Sequence, residues 1–134
     1  MIQNSPNLPN KYSDLPIMHK LIETYKIWQE FLPNFPKSSK YTLGEKIDRL
    51  FVEVLEFIFA ATYLQSIKKF DCVNKASIKL DLLKFFLRIA WETKALNNKK
   101  YILISEKLDE IGKMLGGWIR LIKEKLPPET EERR

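Results

Sequence analysis

Few residues in this chain have the chemistry of a catalyst or a metal ligand. His19 is the one histidine and Cys72 the one cysteine among 134 residues. That excludes a disulfide framework, a cysteine-built zinc site and a histidine-rich metal centre. A histidine-dependent triad would have to use His19, which lies between Met18 and Lys20 at the start of a helical pattern and reads as exposed. Glu53 with Glu56, or Asp109 with Glu110, could pair as carboxylates. No Glu-x-x-His motif accompanies them, so a di-iron bundle lacks its histidines. Cys72 has no histidine beside it in sequence, and Lys68 and Lys69 would only modestly lower its pKa. The expectation is a protein without catalysis, cofactor or metal.

Positive charge is the chemistry the sequence does have. Lys and Arg number 23 against 17 Asp and Glu, a formal +6. Lys68 to Lys100 hold nine basic residues and three acidic ones, so that stretch carries the whole excess. Clustered cations are the electrostatic footprint of a polyanion partner. By charge and position the candidate contacts are Lys75, Lys79, Lys84, Arg88, Lys94, Lys99 and Lys100. Of the aromatic residues at predicted helix ends, Tyr41, Phe70 and Tyr101 are candidates to stack on bases.

The elements that position these residues follow from periodicity. An apolar fraction of 45% is that of an ordinary globular domain, and the length suits one domain. Only four glycines stand in the chain, too few for the turns of a sheet protein. Residues 1–13, with two prolines, read as a disordered arm, 14–127 as the domain, and 128–134 as a flexible charged tail. Helix 1 starts after Asp14 as N-cap, and Met18, Leu21, Tyr25, Trp28 and Leu32 share one face. Thr42-Leu-Gly-Glu45 reads as a capping box opening helix 2, which the pattern carries to about Lys69. Its core face is Leu43, Ile47, Leu50, Val54, Phe57, Ile58 and Ala61. Asp71 or Asn74 caps helix 3, predicted to about Leu96. Helix 4 follows over 99–126 on a seam of Ile104, Leu108, Ile111, Leu115, Trp118 and Ile122. Short loops between long helices predict an all-α, antiparallel up-down-up-down four-helix bundle. The opening residues show no apolar signal segment, and no stretch reaches the roughly 18 uncharged apolar residues of a membrane span. A cytoplasmic location with no membrane contact is the expectation.

Two features exceed what a bundle needs. Helix 3 is apolar on two sides: Ala76, Leu80, Leu83, Leu87, Ala90 and Trp91 on one, and Ile78, Leu82, Phe85, Ile89 and Leu96 on the other. One stripe packs a bundle helix, so Ile78, Leu82, Phe85 and Ile89 read as a subunit interface. The alternative is a wider internal core. Helix 4 carries Gly112, Gly116 and Gly117, each costing roughly 1 kcal/mol against alanine. Close packing of another backbone, within the subunit or between subunits, would explain them.

The motifs Tyr25-x-x-Trp28, Phe35-Pro-Lys37-x-x-Lys40-Tyr41-x-Leu-Gly44, Leu87-Arg-Ile-Ala90 and Ile111-Gly-Lys-Met-Leu-Gly-Gly-Trp-Ile-Arg120 together resemble Avd, the accessory variability determinant of diversity-generating retroelements. The resemblance spans about residues 15–123. The four-helix-bundle proteins of ribosomal RNA intervening sequences share the architecture but match these motifs less well. They stand as the alternative: a structural or regulatory homo-oligomer without a reverse transcriptase. The Avd resemblance implies a basic homopentamer of four-helix bundles. It also implies binding to a retroelement reverse transcriptase and to RNA or DNA through phosphate contacts, in support of mutagenic reverse transcription. Arg88 falls in a matched stretch. Lys37 and Lys40 belong to the matched linker and would extend a binding surface.

Overall fold

A computed structural model describes residues 15–127. The expected disordered arm, the Asp14 cap and the charged tail from 128 lie outside the described residues. The chain forms α1 (Pro16–Phe31), α2 (Glu45–Ala61), α3 (Ser66–Glu92) and α4 (Asn98–Glu124), with no strand among the described residues. Consecutive helices pack on each other and α1 closes the square against α4. The result is the antiparallel up-down-up-down bundle that periodicity predicts.

The cores of α1 and α4 follow the predicted faces. Met18, Leu21 and Trp28 of α1 are buried, as are Ile104, Leu108, Ile111, Leu115 and Ile122 of α4. In α2, Phe51 joins Ile47, Leu50, Val54, Ile58 and Ala61 in the core, while Phe57 packs at its margin, as does Leu43 just before the helix.

Three boundaries differ from the sequence reading. There is no capping box at Thr42. Pro36 instead starts a helical turn at Lys37–Ser39, a π turn follows over Lys40–Gly44, and α2 continues from it. The Thr42 hydroxyl donates to the Ser39 carbonyl at 3.4 Å. α2 stops at Ala61 rather than near Lys69. The Thr62 hydroxyl donates to the Phe59 carbonyl at 2.7 Å, tightened i→i+3 bonds follow at Tyr63 and Leu64, and Ser66 starts α3 at φ 54°. Asp71 and Asn74 are therefore inside α3, not caps. Spanning 27 residues, α3 is about 40 Å long and matches α4, while α2 has 17 residues.

α3 also ends early, at Glu92, in a Schellman turn. The Ala95 amide donates to the Ala90 carbonyl at 2.8 Å and the Lys94 amide to the Trp91 carbonyl at 3.0 Å. The left-handed position of that turn, usually glycine, is Lys94 at φ 67°. The αL backbone costs an L-residue roughly 1–2 kcal/mol.

Polar ties cross all four helix seams. Lys20 pairs with Glu110 across α1–α4 at 3.2 Å, and Lys84 with Asp109 across α3–α4 at 2.9 Å. Lys79 lies 3.2 Å from Glu53 Oε1 across α2–α3; that oxygen is shielded from solvent and has the ammonium as charge partner without hydrogen-bond geometry. Across α1–α2, Asp48 Oδ1 accepts from Tyr25 Oη at 3.0 Å, Trp28 Nε1 at 3.1 Å and Gln29 Nε2 at 3.1 Å.

Candidate nucleic-acid interface

Of the groups considered for catalysis, three carboxylates and the thiol are engaged in the fold, while Glu56 is exposed on α2. Glu53, Asp109 and Glu110 hold the interhelical ion pairs. The Cys72 thiol is buried and donates to the Phe57 carbonyl at 3.2 Å. Burial pushes its pKa up, and the charge of Lys75 only partly offsets that, so it stays a thiol rather than a nucleophilic thiolate. His19 is exposed on α1. No three metal-ligating side chains converge among the described residues.

The seven candidate cations do not form one patch. Lys79 reaches from α3 toward α2, whereas Lys84 reaches from α3 toward α4, so the α3 cations flank the helix on opposite sides. Lys84 is half-buried, with its Nζ over the Gly112 position, and behaves as a packing residue. As a candidate contact it is therefore engaged with Asp109 and Gly112, although its side chain keeps 35% of its surface in solvent. Arg88 is exposed, but its Nε donates to Glu92 at 2.8 Å, and that hydrogen bond holds its pKa up. Lys75 is exposed without a carboxylate partner among the described residues.

Chain reversal gathers the remaining cations at one end of the bundle. That end holds the close of α1, the linker Leu32–Gly44, the start of α2, the end of α3 and the start of α4. Lys94, Lys99 and Lys100 sit there with Lys37 and Lys40 of the linker and Lys46 of α2. Two contacts tie the pieces together: Lys100 Nζ lies 5.3 Å from the Phe31 ring centre and Lys46 Nζ 5.9 Å from that of Phe86. Neither Lys94 nor Lys99 has a carboxylate partner among the described residues. Lys99 and Lys100 stand in the first turn of α4, whose cap is the Asn97 side chain accepting from the Lys100 amide at 2.9 Å. Cations at the positive end of a helix dipole are unfavourable by about 0.3–1 kcal/mol each. An anionic partner would reverse that penalty.

The linker shape depends on Phe35 and Gly44. Phe35 is buried edge-on against Trp28 at 5.6 Å. A Cβ at Gly44 would come within 3.1 Å of Leu32 Cδ1 and 3.4 Å of Phe35 Cδ2. The close approach expected of glycine is therefore here, and it is missing inside the subunit at the helix 4 glycines. A Cβ at Gly112 would meet Lys84 and Leu80 at ordinary contact distance, one at Gly117 only the Arg120 side chain, and one at Gly116 nothing within 4 Å.

The aromatic candidates divide by end. Tyr41 is 70% exposed at the basic end, with Lys40 over its ring. Tyr101 is half-buried there, stacked on Trp91. Phe70 sits at the opposite end of α3, packed against the core. Trp91, assigned to the core face by periodicity, is 37% exposed. The wheel places it at the edge of that face, in the last turn of α3, and that combination was the available signal.

The second apolar stripe of α3 lies on the outside. Ile78 is 62% exposed and Phe85 55%, with Leu82 and Ile89 half-buried between them. The exposure of Ile78 and Phe85 speaks against a wider internal core at those two positions, while Leu82 packs against the core margin. Leu96, also placed on that stripe, is buried instead, in the turn after α3. No described helix is long and apolar enough to cross a membrane.

A family model described as bAvd-like matches residues 17–122. Among solved structures, the chain is similar to a protein of unknown function from the S23 ribosomal protein family of Bacteroides thetaiotaomicron. The TM-score is 0.68 at 21% identity, covering 77% of this chain and 97% of that one. At that identity the likeness carries the fold alone. No curated protein matches the chain.

Proposed function

Because the chain belongs to the bAvd-like family, we propose that it is a non-catalytic, cytoplasmic accessory protein that binds nucleic acid and a retroelement reverse transcriptase, supporting mutagenic reverse transcription of template RNA. The single observation that carries the nucleic-acid part is the end of the bundle where Lys37, Lys40, Lys94, Lys99 and Lys100 gather, with Lys94 and Lys99 lacking a carboxylate partner among the described residues. Such an end neutralises phosphates without reading sequence. The outer α3 stripe of Ile78, Leu82, Phe85 and Ile89 supports self-assembly, and the family resemblance supports five subunits and the polymerase partner.

The test is Lys94→Glu with Lys99→Glu in the full chain, which changes the charge of each subunit by −4. Affinity for RNA at low salt should fall at least tenfold. The slope of log K against log salt should flatten by about 0.7 for each single-strand phosphate that the variant no longer neutralises. Helicity should be unchanged, because both side chains are exposed. Unchanged affinity in the folded double variant would overturn the assignment of this end. The polymerase part predicts a reverse transcriptase reading frame and a pair of near-identical repeats beside the gene.

A further inference from the structure

At the basic end one large aromatic side chain, Trp91, is 37% exposed and is held by two contacts. Trp91 stacks one face on Tyr101, with ring centres 5.0 Å apart and planes within 9°. Its Nε1 donates to the Asn98 side-chain oxygen. The two contacts fix the indole plane before any partner arrives. The ring borders a hollow of about 530 Å³ that it shares with Glu92, Lys94, Leu96, Asn97 and Asn98. Arg88 already neutralises the Glu92 carboxylate. Lys94 occupies a left-handed position that glycine would take without strain, so a lysine stands beside the indole despite the backbone.

We propose that Trp91 is a stacking platform for an unpaired base, and that this end of the bundle takes single-stranded RNA or DNA in preference to duplex. A base inside a duplex has both faces covered by its neighbours and offers none to the indole. An unpaired base can lie on the ring while its flanking phosphates reach Lys94 and Lys99. A flat aromatic groove would also take a proline-rich peptide. The lysines gathered around this one favour a polyanion. The inference rests on the nucleic-acid reading above and adds to it the form of the nucleic acid.

The experiment uses the full-length protein, an oligouridine and an RNA duplex of equal length, with affinity read by fluorescence anisotropy over a salt series. The oligouridine should bind tighter than the duplex. Trp91→Ala should weaken the oligouridine roughly tenfold, leave its salt slope unchanged and leave the duplex unaffected. Trp91→Phe should keep most of the affinity. Trp91→Leu, which retains apolar bulk over Tyr101 without a π face, replaces Trp91→Ala if the latter loses helicity. Both oligonucleotides bound with no effect of Trp91, or weakened alike by its removal, would overturn the platform and leave the nucleic-acid reading standing. No binding of either by the parent protein would overturn both.

Discussion

At Gly116 a missing side chain benefits nothing inside the subunit. A methyl there would meet open space, whereas at Gly44 it would press on Leu32 and Phe35. Gly116→Ala should therefore raise stability to urea by about 0.5–1 kcal/mol through helix propensity. Gly44→Ala should lower it by about 1–3 kcal/mol, because the Leu32 side chain, packed beside buried Phe35, must give way by a few tenths of an ångström. Equal effects of the two would show that local crowding is not what separates them. The spacing of glycines in the decapeptide is plain in the sequence, but which glycine is crowded is not. Crowding depends on what folds over it, and the Leu32–Phe35 turn over Gly44 belongs to a different element.

Among the elements, the α1–α2 seam has a pH dependence of its own. Burial, then the hydrogen bond and charge of Asp48, raise the Tyr25 pKa above its ordinary 10.0. The phenol's contribution is complete below pH 10.0 and is lost as pH rises through the folded value, since the unfolded chain ionises first. Stability should therefore fall more steeply above pH 10 in the parent than in Tyr25→Phe, measured by urea unfolding at several alkaline pH values. Parallel curves would sink the assignment. Asp48→Ala should cost about 2–3 kcal/mol, because it leaves the buried Trp28 Nε1 without an acceptor. Element boundaries were the least legible part of the sequence. The α2–α3 break contains no glycine or proline, and apolar spacing runs on through it, so only the Thr62 hydroxyl and the Ser66 backbone mark it. The end of α3 hid for the same reason, with lysine in the place of a glycine. The α4 seam, by contrast, was legible residue by residue, since every member faces one core.

At the scale of the whole molecule, exposed Ile78 and Phe85 make assembly the expected state in solution. Light scattering should give a mass several times 15.9 kDa. Ile78→Asp with Phe85→Asp should give a folded monomer, because both side chains already face solvent. A monomeric parent at micromolar concentration would remove the interface, and a dimer or trimer would keep the stripe but count against five subunits. The binding end was only half legible. Lys94, Lys99 and Lys100 are neighbours in sequence. Their association with Lys37, Lys40 and Lys46, far back in the sequence, exists only once the helices reverse direction.

The closure of the square has a consequence for how the chain is made. α2, α3 and α4 each find a principal neighbour in the helix just before or after them, so they can pair as they leave the ribosome. α1 is translated before them, yet it packs more extensively on α4 than on α2. Its apolar face of Ile17, Met18 and Leu21 must wait for the last helix before it is fully covered. During that interval the Asp48 carboxylate is the polar group that can hold Tyr25 and Trp28, and with them the first helix, against the growing bundle.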